Sequence, residues 1–229
     1  MAKLSYPKTN DEKAKLYLHA MVEVKERLQN VVTILNLPLA PLFIQEMCYL
    51  QFRYICELIA IACLAAQGDY ETQRSFTESY KPPEIFKQLR KLYPDFFPES
   101  AARTVSDNDG GGRLHHVDFA HKANAYTESD VTSLWKTSGG HLHRASVQKY
   151  LKTTFGNKPP QMKPLLRHLE GLATLLDSHI IPIQKNPDDD LRLLIEMGVP
   201  DEPIRMMFLH INHANNTIAV ESYEAQLTR

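Results

Sequence analysis

The chain has 229 residues, with 26 Lys and Arg against 27 Asp and Glu and a formal net charge of -1. At 43% hydrophobic residues it can bury a core, and its 9 glycines and 14 prolines are too few for a collagen-like or low-complexity chain. The near-neutral charge excludes a globally basic nucleic-acid coat. Three cysteines cannot form a disulfide framework for a chain of this length.

The N-terminal 15 residues have no apolar run of the kind that a secretory signal carries. The most apolar stretch, 58–66, spans nine residues, whereas a membrane span needs about 20. We therefore expect a cytoplasmic protein without a membrane segment, in which Cys48, Cys56 and Cys63 are reduced and buried. Phosphate-loop, dinucleotide and Gly-x-Ser-x-Gly motifs are missing from the sequence, and we expect no cofactor.

The first predicted helix spans residues 11–37. Its apolar residues recur at alternating spacings of four and three, which forms a heptad seam of Tyr17, Met21, Val24, Leu28, Val31 and Leu35. Packing inside a helical bundle is the favoured interpretation of this seam. A homodimer through the same residues is the alternative.

The second predicted helix, 42–67, is apolar nearly all the way round and is closed by Gly68, which indicates an element buried on most sides. Its three charges, Glu46, Arg53 and Glu57, fall within an arc of about 40° at about 100° per residue. Breaking a buried ion pair costs about 3–5 kcal/mol, so we expect a polar partner to face these side chains.

The middle of the chain predicts short helices and one loop. A helix follows Pro83, and residues 99–126, with the run Asp107-Asn-Asp-Gly-Gly-Gly112, predict a mobile loop. Thr127 and Asp130 form a capping box for a helix that Gly139 and Gly140 are expected to end. Further helices are predicted over 141–155 and 160–178.

Beyond residue 179 the pattern becomes typical of strands. Four short apolar runs separated by turn-rich spacers predict a small antiparallel meander, over 180–183, 191–197, 204–211 and 217–223. The sequence therefore predicts an α+β fold, with a helical bundle over 1–178 and a β subdomain over 179–229 packed on it.

Charge is distributed unevenly along the chain. Residues 131–169 contain no Asp or Glu but seven basic side chains, Lys136, Arg144, Lys149, Lys152, Lys158, Lys163 and Arg167. Such a segment is typical of a phosphate or nucleic-acid contact, and it predicts RNA or a nucleotide as the partner. The other interpretation is a solvated face, or one matched by the acidic residues of 180–229.

A second candidate site joins Arg53 and Glu57 to the turn 141–144. Gly139 and Gly140 permit close backbone approach, so His143 and Arg144 can meet the helix charges. An Arg, a Glu and a His together can bind a phosphate and transfer a proton. The alternative is a buried polar network that sets the register of the helices.

Two segments resemble HEPN-like helical proteins of bacteria: Arg53-Tyr-Ile-Cys-Glu57 and Trp135-Lys-Thr-Ser-Gly-Gly-His-Leu-His143. The resemblance covers about residues 12–178. Active members are metal-independent ribonucleases, commonly dimeric, in which four to six residues separate an Arg from a His. This chain has that spacing only at Arg205 and His210, in a predicted strand whose alternation separates the two side chains.

The resemblance implies an RNA-binding protein and a candidate ribonuclease. His143 would then be the acid/base, Arg53 and Arg144 would stabilise the phosphate, and Glu57 would orient Arg53. The alternative from a different class is a non-catalytic interaction protein in which the same polar residues serve only packing.

Histidines suggest a third alternative, a metal hydrolase. Five of the ten lie between residues 115 and 143, and His115, His116, Asp118 and His141 could supply ligands. Their spacing matches no standard metal-binding signature.

Overall fold

A computed structural model of the chain describes residues 9–68, 79–107, 113–118, 121–142, 160–186, 189–212 and 217–223. The helices in these ranges are α1 (Asn10–Leu35), α2 (Pro41–Gln67), α3 (Pro82–Leu92), α4 (Glu128–Leu142) and α5 (Lys163–Leu176). The strands are β1 (Glu99–Ser100), β2 (Ala102–Asp107), β3 (Arg113–Asp118), β4 (Ser178–Asn186), β5 (Asp189–Glu196), β6 (Arg205–Asn212) and β7 (Thr217–Tyr223).

The predicted α+β class and the C-terminal meander are confirmed. Strands β4 to β7 pair antiparallel with their neighbours in chain order, and β1 joins the outer edge of β4, which gives a five-stranded sheet β1-β4-β5-β6-β7. One continuous apolar core combines residues from the helices, such as Leu18 and Phe52, with residues from the sheet, such as Ile181 and Leu193.

Helix α1 begins with a complete capping box: the backbone N–H of Glu12 donates to the Thr9 side chain, and the Glu12 carboxylate accepts from the Thr9 N–H. Its heptad seam lies inside the protomer. Four seam residues are buried and the other two are half-buried against the core: Tyr17, Met21, Val24 and Val31, then Leu28 and Leu35.

The seam packs against α2 and the core of its own chain, as the favoured interpretation, bundle packing, expects. The homodimer through the same residues stays a prediction.

Helix α2 spans Pro41–Gln67 and is followed by Gly68, whose φ of 68° is the left-handed C-cap conformation that glycine favours. By length and composition it is the one described helix that is apolar enough to cross a membrane, yet 61% of its most apolar 18-residue window is buried in the protein. All three cysteines lie on it as buried free thiols, and burial raises the pKa of Cys48 to about 11.

Half of the segment predicted as a mobile loop, 99–126, forms strands, which the loop prediction did not expect, and residues 108–112 of its Gly-rich insert lie outside the described residues. Strand β1 pairs with β4, while β2 and β3 form an antiparallel hairpin in which Asp107 pairs with Arg113. The run between them, Asp-Asn-Asp-Gly-Gly-Gly, has the composition of a hairpin connection, a signal that a loop assignment overlooks.

Helix α4 begins at the predicted capping box, where the Asp130 N–H donates to Thr127 Oγ1 and the Thr127 N–H donates to Asp130. Gly139 and Gly140 do not end it, which corrects the prediction, because the helix continues to Leu142. The predicted helix over 141–155 falls beyond residue 142 outside the described residues. Helix α5 lies within the predicted range 160–178.

Candidate functional site

The side of α2 that carries Arg53 and Glu57 faces α4. Tyr49, Arg53 and Glu57 are spaced four residues apart along α2, so they share one side of the helix. Two of them meet a ring of α4 directly: Tyr49 contacts His141, and Glu57 contacts Trp135. The two helices therefore join through a row of polar and aromatic pairs.

Arg53 and Glu57 form a half-buried ion pair. Arg53 Nε lies 3.2 Å from Glu57 Oε1, with the side chains 19% and 16% exposed. Trp135 Nε1 donates to the same Glu57 oxygen at 2.8 Å, and the Arg53 guanidinium lies 4.4 Å from the centroid of the Trp135 ring. The expected polar partner of the helix charges is therefore chiefly Trp135.

Gly139 makes room for the guanidinium. A Cβ placed on Gly139 would lie 2.7 Å from Arg53 Nη1, whereas one on Gly140 would meet nothing within 4 Å. The close approach expected at these glycines occurs at Gly139, within the helix. A helical glycine is unfavourable by propensity, so packing against Arg53 supplies its physical reason.

His141 and His168 both pack against Tyr49, which precedes Arg53 by one turn of α2. The His141 ring stacks on Tyr49 with centroids 3.9 Å apart and planes 7° from parallel. His168, on α5, packs edge-on against the same Tyr49 ring with centroids 6.1 Å apart. Helices α2, α4 and α5 thus place two imidazoles on one tyrosine.

Tyr126 holds His168 from the other side. Its hydroxyl lies 2.6 Å from His168 Nδ1, and its backbone N–H donates to the Gly171 carbonyl of α5. Burial raises the pKa of Tyr126 to about 12, so the hydroxyl keeps its proton at neutral pH. Burial, followed by the charges of Arg167 and His141, lowers the pKa of His168, which favours a neutral imidazole.

Three of the six predicted phosphate contacts are described. Lys136 on α4 and Lys163 and Arg167 on α5 are exposed, and Arg167 is close enough to His168 to influence its pKa. The other three, Lys149, Lys152 and Lys158, lie outside the described residues together with His143 and Arg144.

Described residues on both sides of the undescribed range 143–159 lie close to Tyr49. On the N-terminal side, His141 stacks on the Tyr49 ring. Gln161 is held close by, because its carbonyl accepts a hydrogen bond from Gln45, one turn before Tyr49 on α2.

The metal alternative finds no support among the described side chains, which contain no group of three or more His, Cys, Asp or Glu placed to hold a metal ion. His115, His116 and Asp118 lie on β3, where the backbone alone is described, and His141 belongs to the stack on α4.

Sequence reasoning missed Tyr49, Tyr126 and His168. Tyr49 carried a usable signal, because it lies four residues before Arg53 on the same side of α2. Tyr126 and His168 are 42 residues apart in sequence and meet only in the fold.

Comparisons with protein-family models, with curated proteins and with solved structures find no match for this chain. The resemblance to HEPN-like proteins therefore stays a prediction from two sequence segments.

Proposed function

We propose that this protein binds RNA or a nucleotide phosphate where α2, α4 and α5 meet. The observation that carries the proposal is the packing of His141 and His168 against one ring, that of Tyr49, with exposed Arg167 directly before His168 on α5. Exposed Lys163 lies one helical turn before Arg167, and the segment 131–169 contains no acidic residue. Exposed cations such as Lys163 and Arg167 attract phosphate through counterion release.

Arg53, Glu57 and Trp135 have a positioning role in this proposal. The guanidinium is already engaged by the Glu57 carboxylate and the Trp135 ring, which together attach α4 to α2. A rigid α2–α4 pair keeps the His141 ring on Tyr49, beside His168. The Arg53–Glu57–Trp135 network can therefore serve helix packing, as the alternative of a buried polar network predicts, while phosphate binds beside it.

The experiment is fluorescence anisotropy with a labelled single-stranded RNA over a salt series. We expect the double variant Lys163→Ala/Arg167→Ala to weaken binding about tenfold or more and to reduce the salt slope by about 1.4, or about 0.7 per lost phosphate contact. The matched control is Lys87→Ala/Lys91→Ala, two exposed lysines four residues apart on α3. Absence of binding at about 50 mM salt, or equal losses in both variants, would refute the proposal.

Cleavage of the bound RNA is a second candidate, favoured by the two imidazoles on Tyr49. A neutral His168 can accept the proton of an attacking 2′-hydroxyl, and a protonated imidazole can donate a proton to the leaving 5′-oxygen. These are the two proton transfers that cleavage of RNA by transesterification needs. The HEPN resemblance instead implies His143 as the acid/base. Both assignments predict cleavage in the presence of a metal chelator.

Single variants separate these assignments. Loss of cleavage in His143→Ala, with RNA affinity and melting temperature retained, supports the role implied by the resemblance. Loss in His141→Ala or His168→Ala, with His143→Ala active, assigns the reaction to the Tyr49 pair. RNA that stays intact in the wild type rejects cleavage and leaves a binding protein.

A further inference from the structure

The outward face of α2 is apolar along five turns. Its exposed and half-buried apolar residues lie within an arc of about 80° at about 100° per residue and form what we call the α2 stripe: Phe43, Met47, Leu50, Tyr54, Leu58 and Ile61. Phe43, Tyr54 and Ile61 are 48%, 40% and 40% exposed. Single exposed apolar residues are ordinary, whereas an aligned row of them marks an interaction surface.

Neighbouring helices flank the stripe and take up the polar residues beside it. On one side Gln51 accepts a hydrogen bond from Arg27 of α1, whose guanidinium also lies 4.5 Å from the centroid of the Tyr54 ring. On the other side Glu57 accepts from Trp135 of α4. The stripe thus runs along the middle of a three-helix face.

We propose that this face binds a second copy of the chain, with the two α2 helices antiparallel. A two-fold contact requires that residue i faces residue j and that j faces i. Four of the six stripe residues satisfy this condition around Phe52: Phe43 and Ile61 lie nine residues to either side, and Leu50 and Tyr54 lie two residues to either side. An antiparallel crossing at Phe52 therefore sets Phe43 of one copy against Ile61 of the other, and Leu50 against Tyr54.

The dimensions suit a stable dimer. From Phe43 to Ile61 the stripe is about 27 Å long at about 1.5 Å per residue. Helix α4 ends beside Tyr49, so α1 and α4 flank the stripe from there to Ile61 at about 8–10 Å to either side, where the face is about 25 Å wide. The whole stripe with its flanks covers on the order of 600 Å² per copy. A standard interface buries about 800 Å² per partner.

The charges at the edge also suit a copy of the same face. The two-fold axis brings α1 of one copy beside α1 of the other. There Glu23 and Arg27 form an ion pair, with the side chains 46% and 24% exposed, so each copy presents both signs of charge. Because the two charges of this pair cancel, it adds no net charge to the α1 edge. It therefore does not favour a partner of opposite charge over a second copy.

Sedimentation equilibrium of the full chain from about 1 to about 100 µM tests the proposal. We expect a dimer in the wild type and a dissociation constant about 100-fold or more higher in Ile61→Glu, because the dimer would bury an unpaired carboxylate. Leu92→Glu, at a leucine 45% exposed on α3, is the matched control and should leave the dimer intact. Circular dichroism and melting temperature verify that each variant is folded.

The antiparallel register has its own test. Leu50→Glu and Tyr54→Lys should each weaken self-association, and an equimolar mixture of the two should restore it, because the new carboxylate of one copy faces the new ammonium group of the other. A monomeric wild type at about 100 µM overturns the proposal. So does a dimer that Ile61→Glu leaves intact, that Leu92→Glu weakens equally, or that the mixture does not restore.

Discussion

The imidazole of His141 lies flat on the ring of Tyr49, with centroids 3.9 Å apart. Tyr49 is only 3% exposed and His141 is exposed, so the pair has one face in the core and one toward solvent. It is the point where the α2–α4 contact reaches the surface beside Arg167 and His168. Changes at this contact, or in the core that supports it, should therefore have measurable effects.

Exchange of Arg167 for Ala should raise the pKa of His168 toward its usual value. The positive charge of Arg167 disfavours a protonated imidazole, and it is the second cause of the lowering after burial. An NMR titration of the His168 ring protons measures the change. Lys91→Ala, a remote change of one positive charge on α3, should leave that titration where it is.

Gly139→Ala and Gly140→Ala should change stability in opposite directions. At Gly139 the new methyl group presses on Arg53 Nη1, and the guanidinium must shift from its contacts with Glu57 and Trp135, which should destabilise the fold by about 1 kcal/mol. At Gly140 it enters open space, and the gain in helix propensity should stabilise by about 0.5–1 kcal/mol. Urea denaturation distinguishes the two, and a stabilising Gly139→Ala would show that the Arg53 contact yields easily.

Trp135→Phe should cost about 1–3 kcal/mol of stability. The change removes the N–H donor and leaves the half-buried Glu57 carboxylate with one partner fewer. A double-mutant cycle with Glu57→Met, which removes the acceptor, isolates this contact, and we expect a coupling energy of about 1 kcal/mol. Additive losses in the cycle would mean that Trp135 acts through packing alone.

His179 should make the fold sensitive to mild acid. Its Nδ1–H donates to the Leu176 carbonyl at 2.9 Å, which leaves Nε2 to accept from the Tyr17 hydroxyl at 2.8 Å. Burial lowers the pKa of His179 from 6.5 to about 4, so the folded chain holds the neutral ring.

The unfolded chain therefore binds more protons between these two pKa values, and stability falls as the pH drops from 6.5 toward 4. The loss should reach about 3 kcal/mol and then level off. Urea denaturation at several pH values measures it, and His179→Phe should remove this part of the pH dependence. An unchanged profile in that variant would assign the acid sensitivity to other groups.

Much of the fold follows from local sequence patterns. The proline and glycine at the ends of α2, the capping box of Thr127 and the alternation in the C-terminal strands act over a few residues, so the elements they define were predictable. The hairpin of β2 and β3 was missed although its turn composition was present, because glycine-rich polar runs also occur in loops.

The candidate site likewise has residues that the sequence singled out and contacts that only the fold shows. Arg53 and Glu57 stand out because charges in an apolar helix need partners, a rule that requires no knowledge of the fold. Which residues become those partners depends on how α4 crosses α2. Trp135 donates a hydrogen bond to Glu57, and Gly139, inside α4, has no side chain that would collide with the Arg53 guanidinium. No periodicity in the sequence of α4 distinguishes this arrangement from a helix that ends at the glycines.

By itself the sequence determined the α+β class, the start of α4 after Thr127, the end of α2 before Gly68, the burial of the cysteine-bearing helix and the basic character of 131–169. Those properties depend on residue type and short spacing. Tertiary structure decided that the seam of α1 lies within one chain, that two histidines share Tyr49, and that one face of α2 stays open. Each depends on contacts between residues far apart in sequence, which packing of the whole core selects.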